Sequence, residues 1–309
     1  MPDRLPPLTA LRAFDAAARH MSFAKAAEEL FVTPAALSYQ IKQLETFLDT
    51  PVFRRLNRAV ELTDAGLALQ PGVALAFDSL RQATRAVAKL QADEPLTITA
   101  GPAFTAKWLA PRFFRFHEDH PEIELRFIAS LRTMDFHRDG VDAAIRFASR
   151  IEDNVYSEVL AEEWLTPVCT RDVAERVRDT SDLSNETLLH DESIQAFTPT
   201  PDWAAWGRVS GMAGDWTHGP RFSNADHAID GALEGAGIVL GRVVLVERYL
   251  ANGRLVAPFE LAIRPSARFY FVCPKGHEAS GRVGTLLKWM REEIAGIDQF
   301  SQNLTIVDL

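Results

Sequence analysis

At Asp93-Glu94-Pro95 the hydrophobic rhythm of this chain changes. Before that point apolar residues recur every three or four positions, the period of an amphipathic helix. Beyond it, short apolar runs alternate with helical segments. The chain therefore divides into a mainly helical N-terminal part and an α/β body. Its 309 residues, 47% hydrophobic and 24% charged, suffice for two cores of ordinary globular composition. Disordered, collagen-like and repeat architectures are excluded. No run approaches the roughly 18 uninterrupted apolar residues of a membrane helix. The N-terminal stretch has no apolar signal core and carries Asp3 and Asp15, so a cytoplasmic protein is expected.

The net charge of −9 is unevenly spread. Residues 1–92 hold 11 Lys+Arg against 9 Asp+Glu, which leaves 22 against 33 for the rest. An N-terminal module of net +2 can meet phosphates, whereas a body of net −11 argues against nucleic-acid binding over the whole surface.

Within that module the spacing of Leu8, Leu11, Phe14 and Ala18 predicts a helix over 8–20. Ser22 reads as the N-cap of a second helix running to Leu30. Thr33 caps a third, with Pro34 at its first position, where the missing N–H costs nothing. Leu37, Ile41, Leu44 and Leu48 form its buried stripe. Val52-Phe53 and Val60-Leu62 around Asn57-Arg58 signal a β-hairpin. A helix pair followed by a hairpin is a winged helix-turn-helix. From Thr63-Asp64 a long helix runs to about Gln91, kinked or restarted at Pro71. Its stripe of Leu69, Val73, Phe77, Leu80, Thr84, Val87 and Leu90 wants a partner, and a second copy is the simplest one.

In the body, LTITAG, IELRFIA, VDAAIRF, LTPVCT, IVLG and FYFVCP read as strands. About 105–117, TMDFHRDG, DHAIDGALEGAG and about 282–295 read as helices. Such alternation implies parallel sheets covered by helices. Ligands in these folds sit beyond strand ends, near helix N-termini.

The stretch AAEELFVTPAALSYQIKQLETFLDTPVFRRLNRAVELTDAG resembles the DNA-binding region of LysR-type transcriptional regulators. Within that family it is most similar to the glycine-cleavage-activator and β-lactamase-regulator branch. KWLAPRFFRFHEDHPEIELRF, GVDAAIRF, LTPVCT, GPRFS and NGRLVAPF extend the likeness, in order, along nearly the whole chain. The resemblance implies a winged helix-turn-helix over 1–62, a linker and dimerisation helix over 63–92, and a two-subdomain, periplasmic-binding-protein-like α/β effector domain over 93–309. Subdomain I would span about 93–167 and 271–309, and subdomain II about 168–270, with the chain crossing near 167 and 270. It implies an activator or repressor that binds promoter DNA under a small-molecule effector. It also implies a homotetramer built from homodimers. The chain departs from the family at Thr33-Pro34-Ala35, where many members carry a residue able to read a base edge. It departs again at Ala103, where relatives often place a hydroxyl and Thr105 is here the nearest one.

The stripe of the third helix turns Ala35, Ser38, Tyr39 and Lys42 outward, a face able to enter a major groove. Ser22, Phe23 and Thr33 lie at helix starts whose free N–H groups suit backbone phosphates, with Pro34 beside them at the first position of the third helix. Arg54, Arg55 and Arg58 sit on the hairpin, where a wing-tip arginine reads the minor groove. These residues are the DNA-binding candidates, with a plain solvated helical surface as the alternative. The effector candidates are Ala103, Phe104, Thr105, Ser130, Arg146, Phe197, Ser223, Asn224 and Asp226. Helix and strand ends converging there suit an anionic group such as that of an amino acid or carboxylate. Arg146 either pairs with such a group or forms a salt bridge with Asp135 or Asp142. Asp135 and Asp226 cap helices or meet an effector amine. Phe104, Phe197 and Tyr270 form pocket walls or core.

Cys169 and Cys273 lie in apolar strand patterns and read as buried thiols rather than a redox-sensing pair. His117 and His120 lack further ligands for a metal, and Trp203 and Trp206 read as loop packing. No hydrolase, P-loop, dinucleotide or zinc motif appears, so neither an enzyme, a cofactor nor a metal is expected. The rival reading is a cytosolic small-molecule-binding module or redox sensor on the same α/β fold.

Overall fold

The computed structural model describes residues 4–55, 60–91, 94–136, 138–212, 214–279 and 281–309. The side chains of Arg55, Gln82, residues 85–91 and Asp298 lie outside that description. The chain forms two compact units, 1–93 and 94–309.

The first unit comprises α1 (Leu8–His20), α2 (Phe23–Glu29), α3 (Pro34–Leu48), a hairpin of β1 (Phe53–Arg55) and β2 (Val60–Leu62), and α4 (Asp64–Gln91). The caps are those expected: Ser22 Oγ accepts from Lys25 N at 3.4 Å and Thr33 Oγ1 from Ala36 N at 3.2 Å, with Pro34 opening α3. Phe14, Leu37, Ile41, Leu44, Val52 and Phe53 form the core. Glu45 fixes the hairpin to α3, its Oε1 accepting from Val52 N at 3.0 Å and Phe53 N at 3.4 Å. The Thr63 hydroxyl donates to Pro51 O at 2.7 Å and accepts from Gly66 N at 3.2 Å, so one side chain starts α4 and ties it to the hairpin.

The α4 helix runs through Pro71 as one element. Part of its stripe is spent inside the module: Val73 is buried in the core, and Leu69 and Phe77 pack on it. Farther along the stripe Leu80 is half exposed and Thr84 exposed, while the side chains of Val87 and Leu90 lie outside the described residues; Leu67 and Leu75, off the stripe, are also exposed. Periodicity identified an apolar face without showing that the module's own helices cover its first half.

The second unit contains β3 (Leu96–Ala100), β4 (Leu125–Ala129), β5 (Ala143–Ala148), β6 (Tyr156–Ala161), β7 (Leu165–Val168), β8 (Leu188–Asp191), β9 (Arg221–Phe222), β10 (Ile238–Arg242), β11 (Leu261–Arg264), β12 (Arg268–Cys273) and β13 (Thr305–Asp308). They form one sheet of order β4-β3-β5-β12-β6 and another of order β13-β11-β7-β10-β8-β9. Neither sheet is purely parallel. β12 runs antiparallel to β5 and β6, and β7 runs antiparallel to β10 and β11. The two reversed strands, β7 and β12, are the ones that follow the first two crossings between the sheets, whereas β13, which follows the last, runs parallel to β11.

The chain changes sheet at 161–165 and 264–268, and again before β13, which pairs with β11. Residues 271–309 therefore do not all lie with the first sheet, as two crossings would require. The described residues of TMDFHRDG are not helical. Its aspartates take over the backbone amides: Asp139 Oδ2 accepts from Asp135 N at 2.9 Å and Asp135 Oδ1 from Arg138 N at 2.7 Å. Trp203 and Trp206 lie on a helix, Trp203–Ser210, and not in a loop. Both are buried, their indole N–H groups donating to Leu189 O and Leu261 O.

Candidate functional sites

In the N-terminal unit, Phe23, Ala35, Ser38, Tyr39 and Lys42 border one shallow hollow of about 460 Å³, together with Ile41, Glu45, Pro51 and Phe53. Ala35, Tyr39 and Lys42 are exposed and Ser38 is half-buried, as the α3 stripe dictates. Phe23 is half-buried and stands edge-on to Phe53, ring centroids 5.3 Å apart, so it forms a wall of the hollow. Glu45 is the one acid among the described residues that line this hollow, and the two hairpin amides already occupy its Oε1. Ser22 and Thr33 accept from their own helices and keep a hydroxyl hydrogen to donate. Pro34 is exposed beside Thr33. Arg54 is exposed on β1, and the Arg55 backbone pairs with Val60. Arg58 and the Arg55 side chain lie outside the described residues.

In the second unit a cavity of about 390 Å³ opens between the two sheets. Of the nine effector candidates, Ala103, Phe104, Ser130, Arg146, Phe197 and Asn224 line it. Thr105 does not. Its hydroxyl donates to Gly101 O at 3.1 Å along its own helical turn, so it does not replace the hydroxyl absent at Ala103. Ser223 is exposed away from the lining. Asp226 also lies off it, with a buried Oδ1 that has no hydrogen-bond partner among the described residues. Asn224 Oδ1 is equally unpartnered and does border the cavity. Tyr270 packs with Met134 and Phe136 on the other face of β12.

Arg146 forms no ion pair with Asp135 or Asp142. Its Nη2 donates to Met134 O at 3.2 Å, its guanidinium lies 5.3 Å from the Phe136 ring centre, and Asp142 instead accepts from Thr97 N. Burial pushes its pKa below that of a free arginine, against the pull of Glu152 and Asp135. Arg132, Arg150 and Arg242 also line the cavity, with Glu152 as the only acid among the described lining residues. Phe104, Phe147, Phe197 and Phe269 form its aromatic side, successive ring centroids lying 4.9–5.1 Å apart. Arg242, Phe147 and Phe269 were not singled out in the sequence. They sit inside apolar strand patterns that read as core, and only the pairing of the sheets brings them to one wall.

Cys169, just past the end of β7, and Cys273, the last residue of β12, are both buried, and burial pushes both thiols up to about 12, far from a reactive thiolate. Among the described residues no helix is long and apolar enough to cross a membrane.

Residues 8–67 match the family model described as bacterial regulatory helix-turn-helix protein, lysR family, and residues 89–295 match the LysR substrate binding domain. The glycine cleavage system transcriptional activator of Escherichia coli (strain K12) is 37% identical over 299 residues, 96% of each chain. The HTH-type transcriptional activator AmpR of Rhodobacter capsulatus is 32% identical over 289 residues, 94% of this chain and 98% of that one. Among solved structures, the effector domain of AmpR from Pseudomonas aeruginosa aligns at a TM-score of 0.54 and 26% identity, over 65% of this chain and 96% of that one. CrgA from Neisseria meningitidis, a LysR-type transcriptional regulator, shares the fold at a TM-score of 0.52 and 20% identity, over 93% of this chain and 99% of that one.

Proposed function

This chain belongs to the LysR family of transcriptional regulators, DNA-binding proteins with an effector-binding domain, and from that premise we propose which surfaces read DNA and what the effector is. The α3 face of Ala35, Ser38, Tyr39 and Lys42 enters a major groove, flanked by phosphate contacts from Ser22, Thr33 and the start of α3 beside Pro34. The wing arginines Arg54, Arg55 and Arg58 meet the adjacent minor groove. The observation that supports this is the exposed, acid-poor hollow around α3, where the single carboxylate is already engaged. Pro34 and Ala35 offer no hydrogen-bonding group to a base, so Ser38, Tyr39 and Lys42 carry the direct readout.

One module of net +2 makes few phosphate contacts, and dimerisation doubles them. Leu67, Leu75 and Leu80 supply exposed apolar surface on α4 for that dimer, and dimers pair into a tetramer. The proposed division is a DNA-binding module over 1–62, a linker over 63–92 and an effector domain beyond.

The effector is a small anion held in the cavity between the two sheets. Four arginines against one glutamate on its lining favour negative charge. A ligand touching both sheets favours one of their relative arrangements, and that population shift alters how the oligomer spaces its DNA modules.

A salt-titrated binding assay on the DNA upstream of the protein's own gene, against a scrambled duplex, tests the first part. Lys42→Ala should weaken binding and lower the slope of log affinity against log salt by about 0.9, one phosphate contact. An unchanged slope and affinity would remove Lys42, and with it the α3 face, from the interface.

A further inference from the structure

Arg242 closes β10 with only 7% of its side chain exposed. Its Nε lies 3.4 Å from Glu163 Oε2. The guanidinium carbon lies 4.0 Å from the centre of the Phe147 ring and 5.2 Å from that of Phe269, so the group is held against the aromatic wall. Its two Nη groups, four of its five N–H donors, meet no protein acceptor among the described residues and are not among the buried unpartnered atoms, so they open onto the cavity that the residue borders. Donors aimed into a cavity are met there by water or by an acceptor on a ligand, and a charged acceptor on an anionic ligand bonds a cation more strongly than water does. A planar fork fits a carboxylate through two parallel bonds, and the flanking rings fit a flat apolar body beside it.

Glu163 holds that fork in place. It is fully buried in the segment that crosses from β6 to β7. Its Oε1 accepts from Trp164 N at 3.2 Å and from Val244 N at 3.3 Å, while Oε2 faces Arg242. Val244 lies in the first turn of the helix Val243–Ala251, whose own N-cap residue offers no side-chain bond. One carboxylate therefore caps a helix from another segment, braces the crossing between the sheets and orients the pocket cation.

We propose that Arg242 recognises the anionic group of the effector, a carboxylate on a flat apolar body, and that Glu163 is its positioning residue. This rests on the reading of the cavity as the effector site. Arg242 is the one charged group acting on Glu163 among the described residues, and its attraction does not offset burial, which raises the Glu163 carboxyl to about 7. An effector anion at Arg242 adds negative charge beside Glu163 and so favours its protonation. Effector binding then takes up a proton, and affinity rises as pH falls through that value.

The test is a titration of the full-length protein by calorimetry and thermal shift with benzoate, phenylacetate, pyruvate and acetate, and with benzamide as the uncharged control. We expect an aromatic carboxylate to stabilise the wild type saturably and benzamide not to. Arg242→Lys, which keeps the charge but loses the fork, should weaken that carboxylate about tenfold or more, and Arg242→Met further. Wild-type affinity should rise from about pH 8 to about pH 6, and Glu163→Gln should remove that pH dependence, which a purely structural role would not do. Binding abolished by Arg146→Met but unchanged in both Arg242 variants would overturn this assignment and leave the cavity reading standing. A Glu163→Gln variant with the wild-type pH profile would remove Glu163 from its role. No stabilisation of the wild type by any carboxylate would overturn both readings.

Discussion

Replacing Gly66 with alanine sets two effects of opposite sign against each other. Gly66 lies in the first turn of α4, where alanine is the better helix former by about 1 kcal/mol. A Cβ built there, however, falls 2.2 Å from Val52 O and 2.8 Å from Leu62 Cδ2. Carbon and carbonyl oxygen ordinarily approach no closer than about 3.3 Å, so the two must part by roughly 1 Å. The leucine methyl can turn away. The carbonyl cannot do so cheaply, because Val52 O accepts from Thr63 N at 3.1 Å, the bond that brings the hairpin back to the linker. Overpacking against a fixed partner costs about 1–3 kcal/mol, and loss of that bond adds about 1. Against the propensity gain, Gly66→Ala should destabilise the junction by about 2 kcal/mol, a roughly thirtyfold larger open population. All six tryptophans lie in the second unit, so fluorescence will not report this change. Amide exchange read by mass spectrometry on peptides covering 51–67 will, with peptides of β7 and β10 as internal controls. Exchange in 51–67 that is unchanged or slower would show that helix propensity outweighs the close approach and would refute the steric argument.

Glu45→Ala leaves the buried Val52 and Phe53 amides without their acceptor and should destabilise the N-terminal module by about 2 kcal/mol, with Glu45→Gln costing less. Denaturant titration followed by exchange in the same peptides checks this, and equal behaviour of the two variants would show that the carboxylate does not hold the hairpin. Glu29 accepts from Arg19 at 2.6 Å and meets His20 Nε2 at 2.6 Å; these bonds, Arg19's above all, lower its carboxyl from 4.5 to about 2. A carboxyl lowered on folding stabilises above its unfolded value and loses that contribution as pH falls from about 4.5 to about 2. Glu29→Gln should therefore flatten the acid sensitivity of α1 and α2 in that window. At neutral pH it should cost no more than about 1 kcal/mol, because the pair is part-exposed. Identical acid profiles for variant and wild type would remove Glu29 from the acid response.

The helix-turn-helix was legible because its signals are local. Ser22, Thr33 and Pro34 bond or pre-set the backbone within three residues of themselves, and a stripe repeating along α3 fixes one buried face regardless of what covers it. The outward direction of Ala35, Tyr39 and Lys42 follows from the same period. Local signals misled where a side chain competes for the backbone, as Asp135 and Asp139 do in TMDFHRDG, and where a hydroxyl turns inward, as Thr105 does toward Gly101.

Tertiary structure alone decided the rest. An apolar stripe on α4 does not state whether its cover is the same module or another copy, and here Val73 is buried against the former. Strand patterns identified β10 and β12 without their direction, since a strand's period is the same whichever way it runs. The pocket depends on both. Arg242 and Glu163 are 79 residues apart, Arg242 in an apolar run and Glu163 in an acidic pair with Glu162. Burying a guanidinium becomes tolerable only where folding brings it a buried carboxylate, an aromatic wall and an open cavity together, and no local pattern encodes that meeting.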